Sequence, residues 1–158
     1  MEQFKSLEDL REYAATLKKS WYARPHTRGE HPTLYPNEEG QVVYGVRKID
    51  YLFSKDGAWV LPTPTMGLSF SGHWQHLKGI YKRIEKRNGG KPVDVGWVFN
   101  EIKLPSGLKF VDDKKNKRKG HHYLLTVTER MHVSKLADKL EWVADRMAKI
   151  TDAIKVLS

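Results

Sequence analysis

The chain of 158 residues contains no cysteine. Disulfides and thiolate metal sites are therefore excluded, and nothing points to an oxidising compartment. No run approaches the roughly 20 apolar residues needed to cross a bilayer. The start, Met1-Glu2-Gln3-Phe4-Lys5, lacks the apolar core of a secretory signal. The expectation is a soluble, cytoplasmic protein with no membrane span. Acidic charge is scarce: 19 Asp+Glu stand against 28 Lys+Arg, a formal charge of +9. That balance favours phosphate-bearing ligands, nucleic acid or an acidic protein partner, without choosing among them. There is no internal repeat and no low-complexity linker, and the length suits a single domain, 1–158.

What the chain does have is a short hydroxyl-bearing stretch, Gly67-Leu68-Ser69-Phe70-Ser71, after the turn-rich Leu61-Pro62-Thr63-Pro64-Thr65-Met66. On a strand, Ser69 and Ser71 share one face while Leu68 and Phe70 share the other. The reading is a strand wet on one side and apolar on the other, its hydroxyls able to hold a polar ligand beside the bare backbone of Gly67. An ordinary half-buried strand with solvated serines is the plainer alternative.

The other elements are placed around this strand. Ser6-Leu7-Glu8-Asp9 reads as a capped helix start, and Leu7, Leu10, Ala14, Leu17 and Trp21 recur every three or four residues through a helix running to about Lys19. Trp21-Tyr22-Ala23-Arg24 predicts a first strand stopped by Pro25. A cation at such a strand end suits a phosphate, which makes Arg24 the first candidate and Arg28 the second, against the plainer reading of solvated arginines. Gln41 to Val46 and Ala58 to Leu61 predict strands, the second following the turn Lys55-Asp56-Gly57. His73 to Arg87 predicts a helix ended by Asn88-Gly89-Gly90. His73 and His76 on it have no third ligand at matching spacing, so no metal site is expected.

Val93 to Phe99 predicts a buried strand that runs on through Asn100 into two short strands about the turn Pro105-Ser106-Gly107. Asp112 to Gly120 is a basic turn holding Lys114, Lys115, Lys117, Arg118 and Lys119, and His121 to Thr128 alternates as a strand with His122 and Tyr123 on opposite faces. From near Ser134, Leu136, Leu140, Val143, Met147, Ile150, Ile154 and Leu157 form the heptad seam of a long last helix, expected to lie on its own domain.

This order of elements resembles the mono-ADP-ribosyltransferase fold, in which an arginine-bearing first strand, a serine strand and a glutamate-bearing strand surround bound NAD. Asn100 to Phe110 looks like the family's acidic residue, apolar strand, Pro-Gly turn and second strand. A narrower likeness is to the small cytosol-acting effector toxins of bacterial type VI secretion with this fold. It rests on Asp56-Gly57 with Trp59, on Gly67-Leu68-Ser69, on Leu108-Lys109-Phe110 followed by Asn116-Lys117-Arg118, and on His122-Tyr123 before a C-terminal helix. The chain departs from the family at Leu68, where a threonine is expected, and at Phe99, where members that modify arginine carry a second acid.

The resemblance implies an α+β fold: a mixed or antiparallel split β-core with flanking helices and a long C-terminal helix. It implies NAD as cofactor, Glu101 and Ser69 as the catalytic pair on neighbouring strands, and Arg24, Ser69, Ser71, His122, Tyr123 and Trp74 as NAD-binding residues. Glu101 would stabilise the oxocarbenium-like centre made when the nicotinamide bond breaks, and Tyr123 or Trp74 would line the ring pocket. A toxin of this kind implies an unknown macromolecular target, delivery to the target-cell cytosol without a signal peptide, and an acidic neutralising protein of the immunity or antitoxin kind. The competing expectation, drawn from the basic turn, is a non-catalytic module that binds RNA or an acidic protein.

Overall fold

The computed structural model describes residues 7–17 and 20–149. Within them the chain forms α1 (Leu7–Thr16), β1 (Trp21–Thr27), β2 (Val42–Val43), β3 (Val46–Arg47), β4 (Leu52–Phe53), β5 (Trp59–Leu61) and β6 (Leu68–Ser71). It continues with α2 (Trp74–Arg87), β7 (Val93–Phe99), β8 (Leu108–Asp112), β9 (His122–Val127), β10 (Met131–His132), α3 (Val133–Arg146) and β11 (Ala148–Lys149). The architecture is α+β. A six-stranded sheet has the order β11-β7-β1-β6-β9-β8, a second has the order β10-β5-β4, and β2-β3 is a hairpin. All pairings between these strands are antiparallel.

The alternation read at the serine strand sorts the two cores. Leu68 and Phe70 are buried with Leu125, Val127, Leu136, Leu140 and Val143 on one face of the large sheet, beneath α3 and the smaller sheet. Ala23, Val93, Val95 and Trp97 are buried with Leu10, Tyr13, Leu77 and Tyr81 on the other, beneath α1 and α2. Ser71 is covered as well: it is 2% exposed, whereas Ser69 is exposed. The expectation of two wet serines therefore holds for Ser69 alone, because α2 returns over the Ser71 end of the strand.

β1 does not stop at Pro25 but runs to Thr27 in full register with β7, Pro25 facing Val95. The backbone explains why. The N–H of Arg28 donates to Pro92 O, so even-numbered residues of β1 turn their polar groups to β7 and odd-numbered ones to β6. Pro25 thus lacks an N–H only on the β6 side, where pairing is already confined to Ala23 with Ser71. Beyond that pair β1 and β6 part, and the sheet opens.

Other expectations are corrected by the fold. Trp21 opens β1 and is not part of the first helix, of which Leu10 and Ala14 form the buried stripe together with Tyr13. The Ser6 cap and Lys19 lie outside the described residues. Glu101 is not on a strand: it lies in a turn closed by Ile102 N–H on Phe99 O, and β8 begins only at Leu108. The last helix ends at Arg146. Met147 is already extended, and Ala148 pairs with Trp97 at the outer edge of β7, satisfying backbone groups that a longer helix would leave open. Ile150, Ile154 and Leu157 of the proposed seam lie outside the described residues. No helix among the described residues is long and apolar enough to cross a membrane.

Candidate active site

Arg24 projects where β1 and β6 part. Its Nε donates to Pro32 O at 2.9 Å, its Nη1 to Ser69 O at 3.0 Å and its Nη2 to Tyr35 Oη. Continuing the Ala23–Ser71 register by two residues sets Pro25 against Ser69, so the guanidinium supplies the hydrogen bond that Pro25 cannot give. Arg24 is thereby pinned across the opening, with N–H groups to spare for a ligand. It borders a cavity of about 200 Å³ whose other cations are Arg47, Arg83 and Arg87. Arg47 is held by Asp50 at 2.8 Å and lies over the Tyr35 ring, 4.0 Å from its centroid. Arg28, the second candidate, is tied to Asp94 at 2.7 Å instead of facing this cavity.

Along α2, Ile80, Arg83, Ile84 and Arg87 border the cavity, and His76 precedes Ile80 by one turn. His76 and Arg87 thus lie about three turns apart on one helix face, which runs from the serine strand to the arginines. His76 Nδ1 lies 2.6 Å from Ser71 Oγ. Its ring stacks on that of His122 at 4.7 Å, and His122 Nδ1 meets Asp113 Oδ2 at 2.8 Å. The result is a chain, Ser71–His76 against His122–Asp113, in which neither Nε2 has a hydrogen-bond partner among the described residues. A second stacked pair, His73 and His121 at 3.9 Å, sits beside it. No group of His, Asp and Glu among the described residues has the arrangement of a metal centre.

His76 is pushed down to about 4, first by burial, which penalises its charged form, and then by His122, Arg83 and His121. A protonation cost of this sign appears as pH-dependent stability. Between the ordinary value of 6.5 and about 4, the unfolded chain takes up a proton that the folded one refuses. The contribution is therefore complete above the upper value and is lost as pH falls toward the lower. Because the ring is only half-buried, solvent reduces the effect to about 1 kcal/mol. Urea unfolding near pH 7 and pH 5 should show the wild type losing about that much more stability on acidification than His76→Asn; equal losses would refute this account.

His122 and Tyr123 fall on opposite faces of β9, as alternation requires. The Tyr123 ring meets Tyr22 edge-on at 4.8 Å, and Tyr22 stacks on Phe110 at 4.0 Å. Glycine makes room for it: a Cβ on Gly72 would lie 2.5 Å from Tyr123 Cε2 and 2.7 Å from Gly120 O. A second cavity, about 530 Å³, opens at this end of the sheet between Trp21, Tyr22, Gly72, Asn100, Gly120 and Tyr123. Trp74 does not line it; the ring packs partly buried on the core beneath α2.

The basic turn is tied to the histidines at both ends. Asp113 holds His122 through one carboxylate oxygen and Lys115 N–H through the other, at 3.0 Å. Asp112 accepts from Gly120 N–H at 2.8 Å, and Arg118 donates to Gln75 on α2. Lys114, Lys115, Lys117, Arg118 and Lys119 are exposed.

The structure therefore brings together Arg24 and Ser69, and Ser71 with His122, but not Ser69 and Glu101. β7 and β6 flank β1 on opposite sides, and Glu101 lies past the far end of β7. Strand rise and spacing set the two backbones about 20 Å apart. The expectation that they meet on neighbouring strands is corrected. Asp113, Tyr35 and Tyr22 were not singled out in the sequence. Asp113 heads a lysine run and looks solvated, and only the β8–β9 hairpin turns it onto His122.

No family model matches the chain, and no solved structure matches it. Over 77 residues it is 31% identical to a protein described as probable outer membrane protein PmpB of Chlamydia trachomatis serovar D, a stretch that is 48% of this chain and 4% of that protein. The chain spans only that small part of the relative's length.

Proposed function

We propose that this protein is an NAD-consuming toxin that transfers ADP-ribose to a macromolecule, acting in the cytosol of its target cell. The observation that carries the reading is the parting of β1 and β6, bridged by Arg24 on Ser69 and bordered by Arg83 and Arg87 of α2. In the ADP-ribosyltransferase-like fold proposed here, this opening is where the chain would hold NAD. Its diphosphate meets the arginines, whose fixed, planar donors suit phosphate oxygens. The exposed Ser69 and, back along α2 from the arginines, His76 with His122 stacked on it would serve its nicotinamide-side ribose. Asp113, through His122, supplies the negative charge that the resemblance assigns to Glu101. His122 Nε2 takes the acceptor's proton, and the carboxylate behind it stabilises the imidazolium that forms.

The protein is incubated with NAD and a cell lysate, and released nicotinamide and transferred label are measured. Time-dependent release that Arg24→Ala abolishes in a folded protein supports the reading; no release sinks it. A toxin with five exposed cations in one turn also fits an acidic neutralising partner bound over that turn. Salt should then slow association with such a partner more than it speeds release.

A further inference from the structure

The proposed function leaves the acceptor unnamed, and three features at one end of the sheet bear on it. The exposed cations of the 114–119 turn stand next to His122, because the turn begins at Asp113, which holds that ring, and ends at Gly120, whose N–H is fixed by Asp112. Arg118 is drawn against α2 by Gln75, so the charge lies along the rim of the site. Beside this rim opens the aromatic cavity of Trp21, Tyr22 and Tyr123, with the Asn100 amide at its edge. A row of cations that follows a phosphate backbone, beside aromatic faces that accept a base, is the chemistry of single-strand recognition. An acidic protein would use the cations and leave the aromatic cavity without a role.

We infer that the acceptor is an unpaired base of a single-stranded nucleic acid. This rests on the NAD reading above. The backbone runs along Lys114, Lys115, Lys117 and Lys119, one base lodges against Tyr123 at the mouth of the cavity, and the strand passes round that end of the sheet to present its neighbour to His122 on the other face of β9. In the transfer, the bond between ribose C1′ and the nicotinamide nitrogen breaks. Its electron pair leaves with nicotinamide, which departs neutral. A nitrogen of the base forms the new bond to C1′ with its lone pair, and the proton it sheds passes to His122 Nε2 and then to water.

The full protein is incubated with adenylate-labelled NAD and a single-stranded RNA or DNA oligonucleotide, and separately with lysate protein freed of nucleic acid. Nicotinamide release and the location of the label are read independently. The expected label resists protease and is removed by nuclease, and the two oligonucleotides show which sugar the site accepts. With about four phosphates neutralised, oligonucleotide binding should weaken about 50-fold between roughly 50 and 200 mM salt. A Lys114→Gln, Lys115→Gln, Lys117→Gln protein should lose about tenfold or more in label and have a shallower salt slope. Nicotinamide release with label on protein alone overturns the acceptor and leaves the NAD reading standing. No nicotinamide release overturns that reading and this inference with it. Nucleic-acid label indifferent to both salt and the triple substitution overturns the role given to the turn.

Discussion

Under the proposed NAD chemistry, His122→Ala should lower NAD turnover by about 10² to 10⁴, the range that a positioned general base contributes, while the domain stays folded. The ring makes one side-chain hydrogen bond, to Asp113, and stacks on His76, and it belongs to neither apolar core cluster. Asp113→Asn should cost about as much as removal of the ring: Lys115 N–H takes the amide oxygen, so the amide NH2 faces His122 Nδ1 and holds the tautomer whose Nε2 already carries a proton. Glu101→Gln is expected to cost less than His122→Ala, because Glu101 lies in the turn after β7, with β1 between that strand and Ser69, and its neighbour Asn100 only borders the cavity beside Tyr123. Measuring kcat and KM for the three proteins, with circular dichroism as a control, checks this. A dead Glu101→Gln beside an active His122→Ala would return the catalytic charge to the turn and refute the site drawn here. The same comparison separates catalysis from binding: toxicity retained by His122→Ala but lost in the lysine-turn protein would favour a binding module over an enzyme.

Gly67→Ala is the substitution expected to damage the fold most per atom added. A Cβ there would stand 2.5 Å from Leu125 O, 2.7 Å from Leu125 C and 3.1 Å from Leu125 N. All three are backbone atoms in the middle of β9, whose Leu125 side chain is wholly buried, so no flexible group can yield. The same carbonyl accepts from Tyr51 Oη at 2.8 Å, and Tyr51 Oη in turn accepts from Leu68 N–H at 3.3 Å. Separating β6 from β9 strains both bonds. Overpacking of about 1–3 kcal/mol plus about 1 kcal/mol for a weakened hydrogen bond predicts a loss of about 2–4 kcal/mol. In a domain of this size that is about 5–15 °C in Tm. Gly79→Ala, on α2 with nothing within 4 Å of the added methyl, is the control of opposite sign. It should stabilise by about 0.5–1 kcal/mol, the usual gain for alanine over glycine inside a helix. Thermal unfolding of both proteins decides; a Gly67→Ala protein as stable as wild type would refute the packing argument.

Much of the local structure was legible in the residues themselves. The two-residue period of Leu68 to Ser71 assigned Leu68 and Phe70 to the apolar core face and left Ser69 exposed, since a strand offers each residue one of two faces, but it did not foretell the cover over Ser71. Asn88-Gly89-Gly90 ended α2 where expected, and Gly89 and Gly90 both adopt positive φ. Asp56-Gly57 turned β4 into β5, Gly57 likewise at positive φ. In each case the deciding energy is a dihedral or a periodicity within a few residues, which a single chain displays directly.

What tertiary structure alone decided is which distant residues meet. Pro25 read as a strand end, yet β1 passes through it because its missing donor faces the one side where no ladder continues. Arg24 read as a free phosphate ligand, yet it also closes that gap on Ser69. The Ser71–His76 contact and the meeting of His122 with Asp113 depend on a helix returning over β6 and on a hairpin folding β8 onto β9. Glu101 carried the expected catalytic charge by local likeness, but strand order put β1 between β7 and the serine strand. Strand order is set by the sum of many long-range contacts, each bought against loop-closure entropy, and no short stretch of residues encodes that sum.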